Sequence, residues 1–402
     1  MEWYASLKAV INGNLLLQLV IIIAAVKLAG GISDKLNQPT VFGKLLVGII
    51  IGPSLLGLVH ETETLKLLSE LGVIVLMFLA GLETDVSEFK KAGPAATLTA
   101  IGGVILPMAA GAIYSAAAGY QGFIPLFIGT VLTATSVSIS AQTLKELGKL
   151  KTQFGMTILG AAVIDDVLGI IVLTLVLGLT GTGGGGLYGV TWVIIKMGLF
   201  FLLSIFLGTS LIPRFLKWMK RMPVSHGLTA AALIIVFLFA FAAEVSGVAN
   251  ITGAYIAGII MGITKYREEI IEKSEALGYP FLIPVFFVGI GLSAKVDAVS
   301  GGLVFIVILS LIAVLTKVIG CGAGAKISGF SWEKSLVIGT GMISRGEIAL
   351  IIATIGLNRN LIDSSLYTAL VIMVLVSTVA TPPLLKAVVQ WGEAKKRNVR
   401  VE

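Results

Sequence analysis

LFIGTVLTATSVSIS (126–140) and LVIGTGMISRGEIAL (336–350) open alike and then interrupt an apolar run in the same place. Each begins with five residues suited to a buried helix, and each then inserts hydroxyls, glycine or charge where the run should continue. The offset between them is 210. At that offset VGIIIG (47–52) stands over AGIIMG (257–262), and GLETDV (81–86) over GLSAKV (291–296). Three matches in the same order, none drifting and each with glycine or polar landmarks, are not explained by shared hydrophobicity. The chain carries an internal repeat, and the two interruptions are equivalent points in its copies.

Composition says what kind of repeat this is. The 402 residues are 56% hydrophobic and 13% charged, with 48 glycines, and the mean hydropathy is +1.01. Apolar runs longer than about 18 residues recur from end to end, which argues a polytopic all-α membrane protein. Thirteen segments are expected, near 15–32, 39–59, 69–83, 93–118, 123–146, 152–180, 188–211, 226–248, 250–264, 279–294, 299–325, 333–356 and 363–387. The first of them lacks the basic flank of a cleaved signal. The single cysteine, Cys321, excludes an internal disulfide and reads as a packing residue.

The net charge of +7 is topology, not a nucleic-acid footprint. Lys and Arg gather in every second connection, at Lys35 and Lys44, Lys90 and Lys91, Lys145 to Lys151, Arg214 to Arg221, Lys265 to Lys273, Lys326 and Lys334, and the C-terminal tail. The alternate connections hold Lys8, Lys66, Lys295 and Arg359. The positive-inside rule then places the N-terminus outside and the C-terminus in the cytoplasm of a cell inner membrane. Trp3, Trp192, Trp218, Trp332 and Trp391 fall near segment ends, as interfacial aromatics do.

The second copy begins at segment 8, seven segments after the first, and an odd shift inverts its orientation. Residues 1–180 form one repeat and 221–402 the other, and residues 181–220 supply the linker, GTGGGG (181–186) followed by segment 7. Inverted repeats of this kind mark secondary transporters, with the site near the bilayer midplane. Interrupted helices at that depth survive where protein or a water-filled cavity satisfies their backbone, and their half-helix ends hold ions.

GAAVIDDVLGIIVL (160–173) then places Asp165 and Asp166 inside an otherwise apolar segment 6. Consecutive helical residues diverge by about 100°, so the two carboxylates face different neighbours. Burial disfavours a bare carboxylate and a nearby cation favours it, so such a group takes a proton or a metal cation but not both. That competition is the minimum chemistry of an exchanger. Lys317, in SLIAVLTKVIGCGAG (310–324), is the candidate cationic partner, reaching across from the other repeat. Arg345 and Glu347 sit in the second interruption, paired with each other or shaping the cavity, in a gating or structural role. Glu83 and Asp85 read as solvated end charges; Glu244 and Lys196 have no assigned partner.

These residues resemble the cation/proton antiporter superfamily, in particular bacterial sodium/proton antiporters of the NapA and NhaA type. The resemblance covers nearly the whole chain through the TATS break (133–136), the Asp165-Asp166 pair, Lys317 and SRGE (344–347). It implies a fold of two inverted six-helix repeats with crossing broken helices. It implies that Asp166 binds Na⁺ together with Asp165, that Asp165 pairs with Lys317, and that Thr133, Ala134, Thr135 and Ser136 line the ion site. It further implies a core of segments 3–6 and 10–13 moving elevator-fashion against a dimerisation domain of segments 1, 2, 8 and 9, in a homodimer. Aspartate at the first position of the pair implies electrogenic exchange. Beyond the transported Na⁺ or other monovalent cation, H⁺ and the lipid bilayer, no cofactor is expected. The chain is similar to the membrane part of potassium-efflux systems without their regulatory domain.

Rival readings fit less well. Intramembrane aspartyl proteolysis needs carboxylates on different helices. Gly181, Gly183 and Gly186 match a nucleotide-loop spacing but follow no strand. Asn250-Ile251-Thr252 is a glycosylation match in too tight a turn, and His60 and His226 lie at segment ends rather than together. K⁺/H⁺ exchange, or a sodium-coupled organic-anion symporter on the same fold, remains the alternative; nothing resembles a channel filter.

Overall fold

Caps and chain breakers divide the apolar runs into helices. The computed structural model describes residues 10–11, 13–36, 38–179, 186–223, 225–292 and 302–399, without the side chains of 88, 178–179, 186–190, 347, 358 and 396–399. Gly181 and Gly183 of the linker therefore lie outside the described residues. Helix α1 (Leu15–Lys35) starts behind Asn14 and α3 (Glu63–Glu83) behind Thr62, whose side-chain oxygens accept from the amides of Leu17 and Leu65. These caps fill donors that a helix start leaves unpaired. Helix α2 (Thr40–Ile51) stops well short of the expected 59, at Gly52-Pro53, because proline offers no amide to continue the ladder. Helix α4 (Val86–Ala117) begins earlier than expected, where Asp85 accepts from the Ser87 amide at 2.9 Å.

Segment 5 is two helices, α5 (Ile124–Thr133) and α6 (Val137–Glu146). The two aspartates ride on α7 (Gln153–Leu179), and α8 (Gly186–Arg221) follows the linker. Then come α9 (Gly227–Val245) and α10 (Asn250–Gly262). Segment 10 is preceded by the charged α11 (Arg267–Leu277), and a π turn (Gly278–Leu282) leads into α12 (Ile283–Leu292). Helix α13 (Leu303–Ile327) carries Lys317; α14 (Trp332–Gly341) and α15 (Glu347–Asn358) form segment 12, and α16 (Ser364–Val399) closes the described chain. The second halves of the two broken segments start at 137 and 347, and 347 − 137 = 210, the sequence offset.

Ten of these helical spans are long and apolar enough to cross a membrane, and three shorter apolar helices lie at 40–51, 250–262 and 348–357. On α8, Leu202 and Phe206 are 66% and 69% exposed, an outward apolar face that water would not tolerate but lipid does. The chain is a multi-pass membrane protein.

Glycine decides how the helices meet. On α3, a Cβ at Gly81 would overlap the Tyr255 carbonyl and lie 2.9 Å from Gly258 Cα on α10. On α2, a Cβ at Gly48 would lie 3.0 Å from Gly291 Cα on α12. The two contacts exchange under the repeat, since 48 + 210 = 258 and 81 + 210 = 291. Segments 3 and 10 thus pack most extensively against α10 and α2, with α4, α7 and α13 forming a separate tightly packed group. Segments 3 and 10, expected with the core, turn their small-residue faces to α10 and α2. Gly81→Ala is expected to lower the melting temperature of the purified protein, costing about 1–3 kcal/mol for forcing two backbones apart. An unchanged transition in detergent would show that the contact is looser than it looks.

Candidate functional site

The two interruptions meet in the interior. Helix α5 ends at Thr133 and α14 at Gly341, and the extended backbones beyond them pair: the Ser136 amide donates to the Ser344 carbonyl at 2.7 Å. The Ser344 hydroxyl returns a bond to the Ser136 carbonyl, and the Ser140 hydroxyl donates to the Gly341 carbonyl. All these groups are buried, so non-helical backbone at membrane depth finds its partners within the protein.

Arg345 occupies the gap left between the helix ends. It is fully buried, and its guanidinium donates to the carbonyls of Ile343 at 2.9 Å, Leu132 at 2.8 Å and Ala313 at 2.9 Å. Leu132 belongs to the C-terminal end of α5 and Ile343 follows the C-terminal end of α14, where the helix dipoles are negative and a cation is favoured. Among the described residues no carboxylate lies within ion-pair distance of Arg345. It pairs with backbone carbonyls; the Glu347 side chain lies outside the described residues.

Asp165 faces this junction from α7 with Asp166 next to it, 1% and 5% exposed. Lys317 Nζ donates to Asp165 Oδ2 at 3.0 Å, and both side chains are wholly excluded from solvent. The Thr135 hydroxyl, from the first break, donates to the same oxygen. Asp165 Oδ1 is buried with no hydrogen-bond partner among the described residues. Asp166 points elsewhere, as the 100° turn requires. Its Oδ2 accepts from the Thr252 hydroxyl of α10 at 2.7 Å.

The structure thus brings Thr135 to Asp165. Thr133 instead donates to the Thr130 carbonyl at 2.7 Å, and the Ser136 hydroxyl lies 3.1 Å from that of Ser138; Ala134 is buried in the break. Thr252 carries no signal in the sequence beyond its place in a glycosylation match. Its role is created by α10 lying beside α7. Another residue differs from expectation: Glu83 is no solvated end charge, because Lys145 of α6 bonds it and also reaches Glu275 at 2.9 Å.

Chemically, the buried Asp, Glu, Lys and Arg side chains among the described residues are Asp165, Asp166, Lys317 and Arg345. Two carboxylates stand against two cations, so the site is neutral when both are ionised. A further cation unbalances it, and a buried uncompensated charge is costly. Such a site holds an added monovalent cation or an added proton more readily than both.

Known proteins resemble this chain over nearly its whole length. A family model described as sodium/hydrogen exchanger, transmembrane, matches residues 20–391. The chain is 45% identical over 369 residues to the Na(+)/H(+)-K(+) antiporter GerN of Bacillus cereus, covering 92% of this chain and 95% of that protein. It is 41% identical over 370 residues to a Na(+)/H(+) antiporter of Enterococcus hirae, covering 92% and 96%. It is 32% identical over 437 residues to the high-affinity Na(+)/H(+) antiporter NhaS3 of Synechocystis, covering 98% and 94%. The sodium proton antiporter MjNhaP1 of Methanocaldococcus jannaschii has the same fold, with a TM-score of 0.65 at 17% identity over 94% of this chain and 95% of that one.

Proposed function

The chain belongs to the sodium/hydrogen exchanger family, and on that premise we propose that it is an antiporter, not an enzyme, exchanging sodium or lithium for protons at Asp166. The observation that carries this is the buried Lys317–Asp165 ion pair at 3.0 Å, set directly beside a second buried carboxylate. The lysine holds one carboxylate and leaves the other for exchange. A cation arriving at Asp166 displaces the proton held there, and a second proton leaves the Lys317–Asp165 pair, so the added charge is balanced. Thr135 and the backbone of the first break stand on the Asp165 side of the site.

In this mechanism α4–α7 and α13–α16 move as the ion-carrying unit against a scaffold of α1–α3 and α9–α12, joined by α8. The seam between them includes Lys145 on Glu83 and Glu275, and Glu146, which accepts from the Thr40 amide at 2.7 Å. The scaffold forms the homodimer contact, the N-terminus lies outside the inner membrane and the C-terminus in the cytoplasm, and sodium leaves the cytoplasm as external protons enter. With two protons exchanged per cation the exchange is electrogenic. K⁺ is the second candidate cation, since the name of the Bacillus cereus relative includes it. An organic-anion symporter is disfavoured because the buried cations are both engaged, Lys317 by Asp165 and Arg345 by three carbonyls.

The test is proton movement in proteoliposomes on adding Na⁺, Li⁺ or K⁺, from mildly acidic to mildly alkaline pH. Sodium and lithium are expected to drive protons with no organic solute present. Silence with all three cations would overturn the antiport reading in favour of the symporter.

A further inference from the structure

Thr252 and Asp166 belong to the two units that exchange would set in relative motion. Thr252 lies on scaffold helix α10 and Asp166 on α7 of the ion-carrying unit, 2% and 5% exposed. Their hydrogen bond, Thr252 Oγ1 to Asp166 Oδ2 at 2.7 Å, joins helices that otherwise pack little against each other. It also falls on the carboxylate proposed to carry the cation, not on Asp165, which Lys317 and Thr135 already hold.

An ionised carboxylate accepts a much stronger hydrogen bond than one whose charge is neutralised. The tie is therefore strongest when the site is empty and weakest when it is filled. An exchanger needs this dependence: if the empty carrier crossed freely, each sodium could leave without an exchange partner returning. We propose that Thr252 is a positioning residue that latches the empty ion-carrying unit to α10, and that a cation on Asp166 releases the latch. The inference rests on the exchange reading above and goes beyond it, by assigning to a scaffold hydroxyl the coupling of the two fluxes.

A bond of this kind shifts a two-state balance about tenfold or more, so its loss shows in coupling rather than in rate alone. Sodium and proton fluxes would be measured together in proteoliposomes, by tracer and by an internal pH dye. Thr252→Val removes the donor at nearly constant volume, and Thr252→Ser keeps it. In the valine variant the sodium moved per proton is expected to rise at least about twofold as the empty carrier slips, and serine restores the wild-type ratio. Thr252→Ala removes the donor without added bulk and decides the matter if the valine variant does not insert. A slower variant with an unchanged ratio would mean that Thr252 only packs, and the latch would be wrong. Wild-type protein that moves no protons on sodium addition defeats the exchange reading before any variant is compared, and the latch falls with it.

Discussion

Asp166→Asn is expected to abolish cation-driven proton movement while leaving the protein folded. Asparagine keeps the shape of the side chain and an oxygen that can accept from Thr252, whose donor lies 2.7 Å away. What it lacks is the charge. A unit charge attracts a cation at contact by about 4 kcal/mol at the effective dielectric of a partly screened site, which is about a thousandfold in affinity. The amide also cannot carry the exchanged proton at all. Sodium, lithium and potassium should therefore all fail to drive protons, with the melting temperature close to that of wild type. Residual exchange at even a tenth of the wild-type rate would move the cation site away from Asp166.

Arg345→Leu is expected to be the most destabilising single substitution in the interior. The guanidinium satisfies the carbonyls of Leu132, Ala313 and Ile343, contributed by α5, α13 and the second break. Leucine takes the guanidinium donor from the buried Ile343 and Leu132 carbonyls, removes a second donor from the Ala313 carbonyl inside α13, and removes one of the two cations that balance the aspartates. Breaking such a buried polar arrangement costs about 3–5 kcal/mol, and the unpaired carbonyls alone account for much of it. Arg345→Lys should recover only part of the loss, because one ammonium on a flexible stem cannot span three acceptors as a planar fork does. Thermal unfolding of purified protein in detergent measures both. Wild-type stability in the leucine variant would mean that the carbonyls find other donors.

Much of this was legible in the sequence because it rests on physical necessity. A carboxylate within an apolar helix needs a cation, and Lys317 was a buried candidate on the other repeat, so a contact across 152 positions could be anticipated. The two breaks were visible because glycine, serine and charge cannot continue an apolar run without purpose, and the matching offset gave their equivalence. Hydroxyl chemistry is different. Thr130, Thr143, Thr157, Thr174 and Thr316 all bond the carbonyl of their own preceding turn. Thr135, which bonds Asp165, was marked by its place in the first break, but nothing local distinguishes the others from Thr252, which bonds Asp166.

The same distinction separates the rest. The amino-acid order by itself determined the membrane class, the repeat, the position of the breaks and the buried charges, since each follows from the cost of placing a residue type in lipid. Tertiary structure alone decided which helices segments 3 and 10 pack against, because that depends on glycine faces at Gly81 and Gly258 meeting in space. It alone gave Arg345 three carbonyls, Glu83 a lysine, and Asp166 a hydroxyl from α10. Those partners are selected by distances of a few ångströms between helices far apart in the chain, and local sequence carries no term for them.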